Sequence, residues 1–467
     1  MKNNQAQHSR RQFLKCSVAG AAGALAIPII VPSSVFGANA PGSRIQVAQI
    51  GCGRIAHEMD IPGILKHDIA RIVAVCDLDS KRLTHGQKTV ESYYAKKLGA
   101  NNAVSVKTFG DYREMLKLPG IDAVAISTPD HWHSEPVMAA ALAGKAVYVQ
   151  KPFSMTIAEG RLLSDTLRAR KTPFQIGSQQ RSDSPWPQFR RACELVRNGR
   201  IGKIHTVEIG LPTDPAGDEE PEMPVPPNLN YSMWLGWTPE VPYTEKRVHP
   251  QKDFSRPGWL RIEAYSLGMI TGWGSHHVDI AHWGMGTEMT GPIELIGKAE
   301  FPKKGIWNVH GPYHIEAKYA NGATMIIDDK FPNGIKFIGS EGWVFVSRGS
   351  AQATASDPAT GNSKAFAASS RSIIESRIGP GETHLHQSPD HHLDWLQSIR
   401  TGKPAATNPE QAHRATSACD LGWIAMKLGR KLRWDPVKEE FSGDDQANAM
   451  RSRPQRAPYG VNNLKQS

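Results

Sequence analysis

The stretch that most narrows the folds open to this chain is an apolar segment, Ile45 to Ile50, running straight into Gly51-Cys52-Gly53-Arg54-Ile55-Ala56. A second apolar segment, Arg71 to Cys76, ends on Asp77. Strand, glycine turn and helical pattern thus follow one another, with an acid about 20 residues beyond the turn. The first glycine permits the tight turn, the second lets a ligand approach the main chain, and Ala56 supplies the third small residue at the helix–strand contact. Helix N–H groups at such a turn suit a pyrophosphate. The segment therefore reads as a dinucleotide-binding turn. Asp77 is placed to accept hydrogen bonds from an adenosine ribose and to repel a 2′-phosphate, which favours NAD. Ser80, Lys81 and Arg82 keep NADP possible.

From Ile45 to about Gly177, short β-rich runs alternate with helical patterns. Ile121 to Ser127, Ala146 to Val149 and Pro173 to Gly177 are further strands. This rhythm predicts an α/β fold whose N-terminal part is a doubly wound parallel sheet, a Rossmann domain over residues 44–180. Beyond Arg181 the pattern predicts a second, α+β domain over 181–440 with a mostly antiparallel sheet and closing helices that pack back. Its features are a helix near Phe189 to Arg197 and a strand near Ile204 to Ile209. A proline-rich ordered loop follows from Pro212 to Pro257, then strands near 293–299, 313–319, 323–328, 335–338 and 343–346. Helices are expected near 391–400 and 409–428. The Ser- and Ala-rich stretch 350–372 reads as a mobile surface loop, and 441–467 as a C-terminal tail.

Ahead of the first strand stands Ser9-Arg10-Arg11-Gln12-Phe13-Leu14-Lys15, then an alanine-rich apolar run to Val31 and Ala38-Asn39-Ala40. This is the pattern of a twin-arginine export signal with an A-x-A cleavage site over residues 1–40, which predicts a periplasmic or otherwise exported protein. The apolar run is broken by Pro28 and falls short of a membrane span, so no stable membrane insertion is expected after cleavage. Cleavage removes Lys2, Arg10, Arg11 and Lys15 and no acids, lowering the formal charge from +10 by four. The remaining cations are scattered among acids, which gives a nucleic-acid surface no support. Cys52, Cys76, Cys193 and Cys419 show neither zinc-site nor disulfide spacing and read as buried thiols.

The chemistry gathers at the carboxyl ends of the first sheet, where open α/β sheets bind ligands. Ser127-Thr128-Pro129-Asp130-His131-Trp132-His133 and Gln150-Lys151-Pro152-Phe153 lie there, and Gly272-Trp273-Gly274-Ser275-His276-His277-Val278-Asp279 follows later. With these motifs the chain resembles the Gfo/Idh/MocA family of sugar and polyol oxidoreductases over nearly its whole mature length. That family shows a glycine turn, a T-P-x-x-x-H segment, an E-K-P segment and a D-x-x-x-H-x-x-D stretch. The chain departs twice: Gln150 stands for the glutamate before the lysine, and Gly272 for the first aspartate of the last motif.

The resemblance implies Lys151 and His276 as catalytic residues. A lysine half-buried beside a nicotinamide can exchange a proton with a carbinol, and histidine is the side chain that titrates near neutrality. Gln150 removes a charge that would hold a proton on Lys151. Implied cofactor contacts are Gly51, Gly53, Arg54, Ile55, Asp77, Thr128, Pro129, His133, Gln150 and Lys151; implied substrate contacts are Arg181, Trp273, His277 and Asp279. Trp234, Trp237 and Trp259 also suit the apolar face of a sugar ring. The spacing of His276, His277 and His282 does not make a metal site. The expected function is oxidation of a secondary hydroxyl of a sugar, polyol or glycoside by tightly held NAD(P). Redox-neutral glycoside cleavage through transient oxidation is one alternative, and a sugar-binding module without turnover, which Gly272 favours, is another. Relatives of this kind pair through an exposed sheet face, so a homo-oligomer is expected.

Overall fold

The computed structural model describes residues 44–99, 104–349 and 365–464. The export signal expected at 1–40 lies outside them, as do residues 350–364 of the expected mobile loop. Six parallel strands, β1 (Ile45–Ile50), β2 (Ala70–Cys76), β3 (Lys107–Phe109), β4 (Ala123–Ile126), β5 (Ala146–Val149) and β6 (Phe174–Ile176), form one sheet in the order β3-β2-β1-β4-β5-β6. Every residue of β4 and β5 is buried, as a parallel sheet covered on both faces requires. The strand order reverses between β1 and β4, so the crevice beyond their carboxyl ends is the topological switch point. Gly51 leaves β1 and Ser127 leaves β4 at that point.

The helix after Gly51 is irregular for a local reason. Pro62 has no N–H to give the carbonyl four residues back, and the turn before it widens: Ala56–Asp60 is a π-type turn in which Ile61 N–H donates to Ala56 O. The wide turn aims Asp60, which is fully buried, beneath the sheet ends.

The second sheet has nine strands among the described residues: β7 (Ile204–Gly210), β8 (Glu294–Ala299), β9 (Tyr313–Lys318), β10 (Thr324–Asp328), β11 (Gly334–Gly339), β12 (Gly342–Val346), β13 (Phe366–Ala368), β14 (Leu432–Asp435) and β15 (Glu440–Phe441). Of these strands only β7 and β10 pair in parallel. One face alternates Tyr313, Ile315, Ala317, Met325 and Ile327 into the core beneath the helices Gly274–Met285 and Pro409–Leu428. The helix Pro409–Leu428 begins in a capping box made by Asn408 and Gln411 and packs against both β8 and the helix Ile157–Ala169, tying the two sheets together.

Three segments differ from the sequence reading. The described end of the loop expected at 350–372 instead forms β13 at the sheet edge and enters the short helix Arg371–Glu375, because Phe366 and Ile373 find apolar cover. The proline-rich loop is ordered as expected but carries the short helix Tyr231–Leu235 and its own apolar cluster of Leu229, Trp234, Tyr243, Val248 and Tyr265. The C-terminal tail returns to the first domain: Gly460 N–H donates to Glu135 (2.5 Å), and Tyr459 sets its ring edge-on to Trp132 at 5.7 Å.

Candidate active site

Gly51 has φ +83°, and a Cβ there would lie 2.7 Å from Ser127 O, so the turn and β4 touch through bare backbone. A Cβ on Gly53 would meet nothing within 4 Å; it faces open space. Asp77 bridges this turn and the next: its carboxylate accepts from Cys52 N–H (2.7 Å) and Asp79 N–H (2.8 Å). Burial pushes its carboxyl upward, and those two N–H groups oppose the shift. Together they frame a cavity of about 1130 Å³ lined by Gly51, Gly53, Arg54, Asp77, Thr128 and Lys151. The open backbone at Gly53, the buried carboxylate and the strand-end position fit a dinucleotide.

The proline-rich loop roofs this cavity. Asp79 caps the helix Ser80–Leu98 and accepts from His249 (3.0 Å) and Asn228 (2.8 Å). Burial works against its charge, yet these hydrogen bonds hold its carboxyl well below the usual range. Arg82, a candidate for a 2′-phosphate, spends its guanidinium on Pro250 O (2.9 Å) and Asp253 O (3.1 Å) and stacks on Phe254. Trp234 and Trp259 line the cavity, whereas Trp237 packs in the core with its indole donating to His131 O.

His133 spans Thr128 O (3.0 Å) and Pro152 O (2.6 Å), tying the first motif to the turn that carries Lys151. Gln150 Nε2 donates to both oxygens of Asp60 (2.9 and 3.0 Å), and Asp60 accepts also from Ser127 Oγ (2.6 Å) and His392 Nε2 (3.0 Å). A negative charge thus lies next to the Lys151 turn, one side chain deeper than the family pattern would put it.

Gln150 and Lys151 also line a second cavity, of about 590 Å³, with Gly272, Trp273, His276 and Arg348. The two expected catalytic groups and Trp273 are therefore brought together. The expectation that His276 titrates near neutrality is corrected. Burial, and then the positive charges of Arg348 and Lys151, push its imidazole well below the ordinary value, so it rests neutral. Gly272, unlike the family's aspartate, leaves space: a Cβ there would meet nothing within 4 Å.

Three expected substrate contacts are not brought to either cavity. Arg181 forms a buried, two-pronged ion pair with Asp279 (2.7 and 2.8 Å), reaches Glu288 (2.9 Å) and stacks on Trp283. His277 is held by Asn333 (2.7 Å), and burial pulls it down to about 3. Each of the three satisfies a buried neighbour instead of facing open space. Sequence reasoning missed Asp60 and Arg348. Asp60 lies in an ordinary helical stretch, and Arg348 is a lone arginine just past β12.

Residues 45–178 match the family model described as oxidoreductase family, NAD-binding Rossmann fold, and residues 216–353 and 371–461 match its C-terminal alpha/beta domain. The myo-inositol 2-dehydrogenase of Thermotoga maritima is 32% identical over 190 residues, 40% of this chain and 48% of that one. A glycosyl hydrolase family 109 protein of Shewanella is 34% identical over 175 residues, 34% of this chain and 36% of that one. The WlbA dehydrogenase of Chromobacterium violaceum, solved with NADH and UDP-GlcNAcA, superposes with a TM-score of 0.57 at 18% identity, covering 84% of this chain and 96% of that one.

Proposed function

The chain belongs to the Gfo/Idh/MocA family of NAD-dependent oxidoreductases, and from that premise we propose that it oxidises a secondary hydroxyl of a carbohydrate. The observation that carries the proposal is that Lys151 lines both the dinucleotide cavity and the cavity holding His276. NAD, when bound, supplies the hydride acceptor. The chain's own residues handle the proton. Neutral His276 is placed to accept the carbinol proton but is a weak base, and the Lys151 ammonium assists by donating a hydrogen bond to the same oxygen and stabilising the negative charge that develops there. Trp273 offers an indole beside them for a ring face.

Replacing Lys151 with Ala tests this. NAD released per molecule on denaturation should stay within twofold of the parent, while hydride transfer to bound NAD falls about 10²–10⁴-fold. Unchanged transfer would overturn the assignment, and unchanged carbohydrate binding with no transfer in either protein would put the binding module first. Export in the folded state, with the cofactor carried inside and regenerated in place, is part of the same proposal. Its test is retention of precursor in the cytosol when Arg10 and Arg11 are both changed to Lys. The stretch of likeness to a glycosyl hydrolase family 109 protein supports a second reading, redox-neutral glycoside cleavage; release of an aglycone without net NADH would distinguish it.

A further inference from the structure

The proline-rich loop that roofs the dinucleotide cavity is fastened in two different ways along its length. Around the helix Tyr231–Leu235 it is tied through its own main chain. His131 Nε2 (2.9 Å) and Trp132 Nε1 (2.8 Å) both donate to Trp234 O, and the Arg456 guanidinium donates to Ser232 O (3.0 Å), Gly236 O (2.7 Å) and Thr238 O (3.1 Å). Residues 249–254 lie in neither helix nor strand and meet the first domain through side chains. Asp79 accepts from His249 Nε2 (3.0 Å) and Gln251 Nε2 (3.3 Å) on one oxygen and from Asn228 Nδ2 (2.8 Å) on the other. Arg82 donates to Pro250 O (2.9 Å) and Asp253 O (3.1 Å) and lies 4.6 Å from the centre of the Phe254 ring. His57 and His85, joined by a 3.0 Å hydrogen bond, pack on the same ring with centres 4.7 Å away.

Beneath this part of the loop lies the cofactor site. His249, Ser255, Pro257 and Trp259 line the cavity together with Gly53 and Asp77. A dinucleotide resting on the Gly53 turn is covered by them, so its way out requires residues 249–254 to lift. Lifting them trades a few side-chain contacts for water, whereas moving the part around Trp234 breaks main-chain bonds held by buried rings, so 249–254 give way first. The fastening is also linked to the ligand: Asp77, at the ribose position, accepts the N–H of Asp79 itself (2.8 Å).

We infer that residues 249–254 are a clasp over the dinucleotide site, fastened by Asp79 and by the Phe254 ring, and that cofactor exchange proceeds through its opening. This rests on the oxidoreductase reading above for the identity of the ligand and adds how that ligand is kept. A cofactor that stays in place between turnovers is the condition for regenerating it there.

The test follows exchange of bound NAD on the full chain. Protein carrying NAD is mixed with excess deuterium-labelled NAD, and the label in the retained cofactor is read by mass spectrometry after rapid gel filtration and denaturation. Phe254→Ala and Asp79→Ser each loosen the clasp without altering a residue that lines the cavity, and serine can still cap the helix that begins at Ser80. Each should raise the exchange rate about tenfold or more, the effect of losing one hydrogen bond to a carboxylate or a comparable contact. Hydride transfer to NAD already bound should stay within about twofold. Arg456→Met, which frees the part around Trp234 instead, should raise exchange less than about threefold. Tryptic cleavage after Arg247 and Lys252 reads the same opening and should be faster in Phe254→Ala than in the parent. If Asp79→Ser does not fold, Phe254→Ala and this cleavage still decide. Exchange unchanged in Phe254→Ala, or raised as much by Arg456→Met, would overturn the inference and leave the oxidoreductase reading standing. Exchange that depends on the clasp, in a protein that transfers no hydride from any carbohydrate, would do the reverse. A protein that neither carries nor takes up NAD overturns both.

Discussion

Changing Gln150 to Glu restores the family's residue and, on this structure, should damage the protein. The Gln150 amide donates to both oxygens of Asp60 at 2.9 and 3.0 Å, and Asp60 is fully buried. A carboxylate at 150 would put two acids about 3 Å apart in place of a hydrogen-bonded pair. Its retreat on one side is blocked: the end of side chain 150 packs against Gly177, where even a Cβ would come within 2.5 Å of Gln150 Oε1. His392 and Ser127 already hold Asp60 from its other sides, leaving no new donor for a second charge. Losing the two hydrogen bonds and creating an uncompensated buried charge should cost about 3–4 kcal/mol at pH 8. The new carboxyl's pKa would be raised in the folded state. Its penalty is therefore present in full above that raised value and disappears as the pH falls toward the unfolded value. Urea unfolding of the parent, Gln150→Glu, Asp60→Asn and the double variant closes a thermodynamic cycle. In the double variant the amide introduced at position 60 can donate to the carboxylate introduced at position 150 and still accept from His392. The double variant should therefore recover about 2 kcal/mol over the sum of the singles. A cost under about 0.5 kcal/mol for Gln150→Glu, or no recovery in the double variant, would refute the account of Asp60 as the reason for a neutral residue at 150.

Arg181→Met should cost about 3–5 kcal/mol, because Asp279 and Glu288 lose their buried partner; a loss of substrate affinity with unchanged unfolding free energy would return Arg181 to the site. Gly272→Asp has room and adds a negative charge four residues before His276, so the acidic limb of the rate profile should move to higher pH as the imidazole becomes easier to protonate; an unmoved limb means that His276 does not set it. Burial holds His131, His277 and His282 down to about 3 and His391 to about 4. The unfolded chain protonates these rings near 6.5, so stability should fall as pH drops from about 6.5 toward 4, by about 5 kcal/mol per pH unit near pH 5. A flat unfolding free energy between pH 7 and 5 would contradict it.

The first sheet was legible because its determinants are local. A glycine that must take a positive φ, an apolar run of strand length and an acid at the next strand end each act within a few residues, and all stand where the sequence put them. The second sheet was legible as strands, but its edges were not. β13 and β15 are three and two residues long, too short to show a pattern, and exist because they pair with β12 and β14 under the apolar cover of Ile373 and Trp434. The site shows the same division. Motifs pointed to Lys151 and His276, which the fold brings to one cavity, whereas Arg181 and Asp279 lie outside both cavities, since a motif carries residue types but not the direction in which a side chain leaves its helix. Asp60 and Arg348 had no motif at all.

Both are visible only from the partners they gather, and both bear on the same quantity, the charge around Lys151 and His276. The family pattern places carboxylates at 150 and 272, next to the lysine and the histidine. This chain has a carboxyl at Asp60, behind the Gln150 amide, and Arg348 lines the cavity in front. Burial, Arg348 and Lys151 keep His276 neutral and make it a weaker base than a free imidazole, while the two cations should stabilise negative charge developing on the carbinol oxygen. A substitution that restores either carboxylate should therefore make His276 easier to protonate and move the acidic limb of the rate profile to higher pH. A limb left unmoved by both substitutions would mean that neither position sets the charge that His276 meets.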